Sequence, residues 1–232
     1  HPVVFAEITV PWEPDFSDMW MKEFYEKWLT VPYSQEKEEY QNHPENFGSS
    51  LIGIDEQEFD FLNENLEQPI NKEEFLSGKT CIIYRNGLDL SNSDLIGSKV
   101  TCALHSDKQV TQTFTIGGVT DESYYTAILG YPPTIITSDQ VVKNFANESI
   151  TLKIGVKYTK EYDRNIEKEI LKLLEANVNA KDFSWDSKIE EADEIKNAQG
   201  YMPQIGMGIV LILAFIGIMN YINTFVANVQ NR

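Results

Sequence analysis

The sequence predicts an α+β fold in which two split βαβ halves share a sheet, followed by a stalk helix and one transmembrane helix. Strand-like and helix-like segments alternate at both ends of the first 187 residues. Between them, short strand-like segments separated by turn residues predict a small antiparallel β subdomain, inserted over about residues 80–135. Near the end of the chain, Ile205–Val229 contains no charged residue, which predicts the membrane helix.

The first half begins with a strand and an amphipathic helix. Val3–Val10 is apolar and rich in β-branched residues, and it ends at a turn bracketed by Pro11 and Pro14. A helix is expected over about residues 15–29, because apolar residues recur there at helical spacing. This stripe is interpreted as core rather than as a ligand platform, and it consists of Phe16, Met19, Trp20, Phe24 and Trp28.

The next segments complete the first half. The polar stretch Glu36–Asn46 is interpreted as a loop or a solvated strand, and Phe47–Asp55 as a buried strand. Glu56–Leu66 is predicted to be a helix, and Lys72–Leu76 a short helical connector.

Four acidic residues at the start of the predicted helix Glu56–Leu66 resemble a metal or acid–base site. They are Asp55, Glu56, Glu58 and Asp60. Because carboxylates are favoured in the first turn of any helix by its dipole, we interpret them as helix-stabilising residues.

The inserted subdomain is predicted from three strands, Thr80–Arg85, Lys99–His105 and Val110–Val119. An aromatic loop follows them, and it is either a contact surface or a packed loop. It contains Tyr124, Tyr125, Tyr131, Pro132 and Pro133.

The second half again alternates strands with helices. Ser138 is expected to cap a helix over Gln140–Phe145. Strict alternation over Ile150–Tyr158 predicts a half-buried strand. The remaining elements are a strand at Thr134–Thr137, an amphipathic helix at Asp163–Val178, a last strand at Phe183–Asp186 and a charged stalk helix at about residues 188–202.

The charge balance excludes some classes of function. Arg232 is one of 19 basic residues, so the first 231 residues hold 18 basic and 36 acidic side chains and a formal charge of −18. Such a surface repels the phosphates of nucleic acid. It also disfavours lying flat on an anionic lipid surface.

The uncharged segment is long enough to cross a bilayer. No charge occurs between Lys196 and Arg232, and Ile205–Asn228 would be about 36 Å long as a helix, against a hydrocarbon core of about 30 Å. A buried core helix is the alternative. We place the transmembrane helix at residues 203–229 and the start of a cytoplasmic segment at 230–232, since a positive charge at Arg232 favours the cytoplasmic side. The acidic domain would then be extracytoplasmic.

Polar residues follow one face of the second half of this helix. They are Asn220, Asn223, Thr224 and Asn228. Exposing several such groups to lipid is costly, so this face is expected to pack against other membrane helices. The chain is therefore interpreted as part of a multi-pass protein or an oligomer.

No catalytic site is predicted. His1, His43 and His105 are scattered and have no metal-ligand spacing, and the common nucleophile and phosphate-binding motifs are absent from the sequence. We therefore expect a non-enzymatic chain that binds no metal or cofactor. The two cysteines, Cys81 and Cys102, either form a disulfide or are two small buried residues.

Two sets of residues resemble a known family. Gly217-Ile-Met-Asn220, followed by a short apolar run and Val229-Gln-Asn-Arg232, resembles the second transmembrane helix of FtsX-like ABC transporter permeases. The preceding domain resembles the MacB-type periplasmic core domain. The segments that match it are Leu51–Asp55, Ser77–Tyr84, Phe114–Val119 and the strand–helix–strand Ile150–Asp186.

The resemblance implies that this chain is the outer domain of a plasma-membrane protein. The domain would lie between two membrane helices, the first of which would precede His1. Such permeases form homodimers or pair with a second permease, and in both cases they work with a cytoplasmic ABC ATPase, which uses ATP and Mg²⁺. ATP hydrolysis then moves the outer domain, a process called mechanotransmission, and serves export, peptide resistance or cell-envelope regulation. An extracellular peptide or an envelope protein is a further expected partner.

Two other classes remain as alternatives. A membrane-anchored sensor ectodomain of a signalling receptor could have the same layout, and a signalling coiled coil after Arg232 would distinguish it from a permease. A surface-anchored hydrolase is the third reading, and it would require a nucleophile, a metal or an acid–base pair.

Overall fold

The computed structural model describes residues 1–122, 131–146, 149–158, 163–179 and 181–230. The chain divides into two compact units, His1–Val156 and Lys157–Arg232.

The described residues form strands and helices with the following bounds. The strands are β1 (Pro2–Thr9), β2 (Ser49–Ile54), β3 (Thr80–Tyr84), β4 (Lys99–Leu104), β5 (Thr111–Thr120), β6 (Thr134–Ser138) and β7 (Ile150–Ile154). The helices are α1 (Pro14–Trp28), α2 (Tyr33–Asn42), α3 (Glu56–Glu64), α4 (Lys72–Leu76), α5 (Asn92–Leu95), α6 (Asp139–Phe145), α7 (Arg164–Asn177) and α8 (Lys188–Gln230). A turn of 3₁₀ helix covers Pro44–Asn46.

The first unit is built on one mixed sheet of seven strands. Its order is β2-β6-β3-β5-β4-β1-β7, and β1 also pairs with β2, so six strands form a closed ring of pairings. β7 pairs with the start of β1 (Pro2–Phe5), whereas β4 pairs with its end at Ile8 and Thr9. The α+β class is therefore confirmed.

The arrangement of strands differs from the prediction. Strands β3, β4 and β5 are members of the ring. In the part described, residues 80–135 therefore do not form a separate inserted subdomain. Two split βαβ halves are not seen either, because β1 and β2 are direct antiparallel neighbours and the parallel pairs are β2–β6 and β3–β5. Hydrophobic patterning fixes which residues form strands, but it does not fix which strands pair.

Helices cover both faces of this sheet. On one face, Phe16 and Trp20 of α1 and Val142 of α6 pack against β1, β3 and β5. On the other, Phe59 of α3 stacks on Phe75 of α4, with ring centroids 4.3 Å apart. The stripe on α1 is thus mainly core, as predicted, with the exception of Trp28, which is 57% exposed.

The polar stretch after α1 is a helix, and the prediction of a loop or solvated strand was wrong. α2 consists largely of Glu, Lys, Gln and Tyr, most of which have good helix propensity. Tyr40 anchors it, because its ring packs edge-on against Phe47 and Trp12. Tyr131 joins the same cluster through Phe47, which supports the packed-loop interpretation at that residue. Tyr124 and Tyr125 lie outside the described residues.

The second half contains one confirmed helix cap and two corrections. The Ser138 hydroxyl accepts a hydrogen bond from the Gln140 amide at the start of α6, as predicted. β7 is mostly exposed rather than half-buried. Phe183–Asp186 has no strand structure. Alternation therefore identified β7 as a strand but did not show how little of it is buried.

The stalk and the uncharged segment form one continuous helix, α8, which Gly200 and Pro203 do not interrupt. Among the residues that the structure describes, no helix is both long enough and apolar enough to cross a membrane.

Candidate functional site

The most unusual surface of the described chain is the apolar part of α8. Within Gly206–Ile222 every described side chain is exposed, and the large apolar ones are 45% to 73% accessible. These apolar residues are Met207, Ile209, Val210, Leu211, Ile212, Leu213, Phe215, Ile216, Ile218, Met219, Tyr221 and Ile222. A contiguous apolar surface of this kind marks an interaction site in a natural protein.

The predicted motif residues lie on or beyond this surface. Gly217 and Asn220 are on its exposed part. Asn223, Thr224 and Asn228 belong to α8, but their side chains are outside the described part, and Arg232 is outside the described residues.

The two cysteines are buried and free, so a disulfide is not present. β5 lies between their strands, β3 and β4, and each of these pairs with β5. Two strands that are separated by a third lie roughly 9.5 Å apart, beyond the reach of a disulfide. Burial raises the pKa of the Cys102 thiol to about 12 and that of Cys81 well above its usual value.

The predicted acidic cluster at α3 stabilises helices, as we interpreted it. The Asp55 carboxylate accepts a 2.8 Å hydrogen bond from the Glu58 amide and caps α3. Lys72 of α4 lies 2.7 Å from carboxylate oxygens of both Glu56 and Asp60. Among the described residues no group of three or more His, Cys, Asp or Glu side chains could hold a metal ion.

The histidines are not brought together. Each interacts with different partners: His1 with Asp55 at 3.1 Å, His43 with Glu45 at 3.3 Å, and His105 with Thr9 at 3.2 Å and Glu7 at 3.7 Å. Their positions therefore agree with the scattered pattern read from the sequence.

A polar cleft that the sequence did not reveal lies at the carboxyl ends of β3 and β5. It consists of two adjoining depressions of about 670 and 520 Å³, which share Glu67, Arg85 and Asn92. Arg85 follows β3 and Asp121 follows β5, and these parallel strands end at the same edge of the sheet. The only signal in the sequence is the turn dipeptide Asn86-Gly87, which predicts a loop and not a cleft.

Arg85 and Glu67, two charged residues of the cleft, each have hydrogen-bond partners. Arg85 donates to the Leu90 carbonyl at 2.7 Å and to the Asp121 carboxylate at 2.9 Å. Asn92 donates to the Glu67 carboxylate. Because Asp121 neutralises the Arg85 guanidinium, the remaining charge of the cleft is that of carboxylates. The described residues that line the cleft offer hydrogen-bonding groups but no nucleophile–base pair.

The two ends of the first unit lie side by side, at the edge of the sheet opposite the cleft. The amino group of His1 donates to the Gly155 carbonyl at 2.6 Å, and the Gly155 amide donates to the His1 carbonyl at 2.8 Å. β1, β3 and β5 run in the same direction, so the start of β1 and the carboxyl ends of β3 and β5 lie at opposite edges of the sheet.

Comparison with known proteins gives one weak structural likeness. No family model matches the chain, and no curated protein matches it. Among solved structures, it is similar to the periplasmic region of MacB from Actinobacillus actinomycetemcomitans, with 16% sequence identity and a TM-score of 0.38. The match covers 84% of this chain and 92% of that chain.

Proposed function

We propose that this chain is the extracytoplasmic domain and adjoining membrane helix of an ABC transporter permease subunit. The observation that carries the proposal is α8, in which a charged first part, Lys188–Lys196, continues without a break into an exposed apolar surface. Water does not stabilise such a surface, whereas lipid does. Gly217–Asn220, which resembles a motif of FtsX-like permeases, lies on that surface.

Crossing the bilayer would require more of α8 than its described apolar part. Gly206–Ile222 is about 26 Å long as a helix, somewhat less than a hydrocarbon core of about 30 Å. The sequence is uncharged on both sides of it, from Asn197 to Asn231. We therefore infer that residues 203–229 span the plasma membrane, with the acidic unit outside and Arg232 in the cytoplasm.

The proposed mechanism is mechanotransmission. A helix of 43 residues is about 64 Å long, which is enough to connect the cytoplasmic side of a membrane to a domain outside it. A cytoplasmic ABC ATPase would hydrolyse ATP, with Mg²⁺, and this chain would transmit the resulting motion without a catalytic step of its own. A second permease copy, or a paired permease, would cover the polar face of the membrane helix.

The experiment is purification of the full-length protein from native membranes in detergent, followed by an ATPase assay. We expect a subunit with ABC-type nucleotide-binding motifs to copurify, and its ATP hydrolysis to change when two copies of α8 are cross-linked through Gln199→Cys. A matched cross-link within one copy of the first unit should leave hydrolysis unchanged. Copurification of a histidine kinase in place of an ATPase would contradict the permease and favour the sensor.

A further inference from the structure

The start of α8 is held by α7 through a small set of contacts. In the unit Lys157–Arg232, Glu167 and Ser187 are 8% and 7% exposed, and the Ser187 hydroxyl donates to the Glu167 carboxylate. Arg164, one turn before Glu167, pairs with Asp193 in the second turn of α8. Ile189, which lies between Ser187 and Asp193 in the sequence, is also buried.

Ser187 connects the two helices with one hydroxyl group. Its oxygen accepts hydrogen bonds from the amides of Ile189 and Glu190, both at 3.2 Å, and so caps α8. Its single proton is donated to Glu167. Because a buried carboxylate is costly without a donor, the burial of Glu167 depends on Ser187, the same residue that caps α8.

Beyond these contacts the described part of α8 is exposed. Glu194 is exposed, and Ile195 is 58% accessible although it is apolar. The remaining helix, Glu194–Gln230, extends for about 55 Å. A small rotation at the α7 contact would therefore displace the far end of the helix by a much larger distance.

We propose that Arg164, Glu167, Ser187 and Asp193 form a two-state latch between α7 and α8. When the latch is closed, α7 and α8 move as one lever. When the Glu167–Ser187 hydrogen bond breaks, the buried carboxylate loses its donor, and α8 moves independently of α7. The role of the latch in transmitting motion rests on the proposed function, but its two states do not.

The latch is tested on the full chain in detergent with spin labels at Glu175→Cys on α7 and Gln199→Cys on α8, both exposed positions. The native cysteines are buried and do not need to be replaced. We expect one narrow distance distribution in the parent protein and a broad or shifted one in Glu167→Ala. Glu167→Gln keeps the acceptor and should stay closer to the parent, and Glu169→Ala, an exposed glutamate of α7, is the matched control.

Amide exchange gives a second, local readout. Glu167→Ala should accelerate exchange at Ile189 and Glu190 by about 10- to 100-fold, as expected for loss of a hydrogen bond to a charged group. Combined with Ser187→Ala it should add little, because both changes remove the same interaction. If Glu167→Ala lowers the helix content of the chain, Glu167→Gln and Ser187→Ala alone decide the result.

A broad distance distribution in the parent protein would overturn the proposal, and so would unchanged distances and exchange rates in Glu167→Ala and Ser187→Ala. The permease assignment fails on a different observation, the absence of a copurifying ATPase. The two failures are therefore distinguishable.

Discussion

A Cβ atom on Gly53 would lie 2.7 Å from the Cα atom of Asp139, so β2 and the start of α6 touch through their backbones. It would also lie 2.9 Å from a methyl carbon of Val142. Gly53 lies in the buried strand β2, and this contact gives a physical reason for a glycine there.

Gly53→Ala is expected to destabilise the protein by about 1–3 kcal/mol, because neither backbone can yield without shifting a whole element. The measurement is the free energy of unfolding in urea. Gly48→Ala is the control, since its new methyl group would meet the end of the flexible Glu7 side chain, and it should change stability by about 0.5 kcal/mol or less. Equal effects of the two substitutions would contradict the packing of α6 on β2.

Two phenylalanines on α3 offer a second matched pair. Phe59 is fully buried and stacked on Phe75, whereas Phe61 is 60% exposed. Phe59→Ala should cost about 3–5 kcal/mol of unfolding free energy, and Phe61→Ala about 0.5 kcal/mol or less. If Phe61→Ala proved the more damaging, α3 would be docked through its opposite face.

The free cysteines predict a thiol-reactivity experiment. Cys81 and Cys102 should not react with a thiol reagent at pH 8 in the folded protein, and both should react after denaturation, because burial excludes the reagent and disfavours the thiolate. A reducing agent should leave the unfolding temperature unchanged. A reductant-dependent unfolding temperature would show that the two residues are joined after all.

Stability should fall at alkaline pH. The pKa of Cys102 is raised from an unfolded value of about 8.5 to about 12, so above pH 8.5 the unfolded chain loses protons that the folded chain keeps. The unfolded state is then favoured increasingly until the pH reaches about 12. Above pH 10, Tyr40 adds to the effect, because burial raises its pKa above the ordinary value. Urea titrations between pH 7.5 and 11 measure this, and Cys102→Ala should reduce the slope between pH 8.5 and 10. A slope unchanged by that substitution would contradict the assignment to Cys102.

The sequence predicted local structure better than it predicted pairing and contact. α1, α3, α4 and the strands of the ring follow from apolar spacing and turn residues. α2 was missed because its helix-forming residues are polar and only Tyr40 is buried in it, so the apolar period is absent. α5 was missed because it is only four residues long.

The candidate functional surfaces divide in the same way. The apolar segment of α8 was evident from residue type alone, whereas the cleft at Arg85 and the contact between Glu167 and Ser187 each join residues that are far apart in sequence. Such contacts depend on the order of strands and the docking of helices, which a single sequence does not encode in its periodicity.

In the proposed arrangement, α8 carries the chain through a membrane and the acidic domain lies outside. This arrangement is tested most directly by labelling Gln199→Cys and Asn231→Cys, one at a time, with a membrane-impermeant maleimide on intact cells that express the full-length protein; the buried native cysteines contribute little background. We expect Gln199→Cys to be labelled in intact cells and Asn231→Cys to be labelled only after the cells are permeabilised. Labelling of both positions from the same side of the membrane would contradict it.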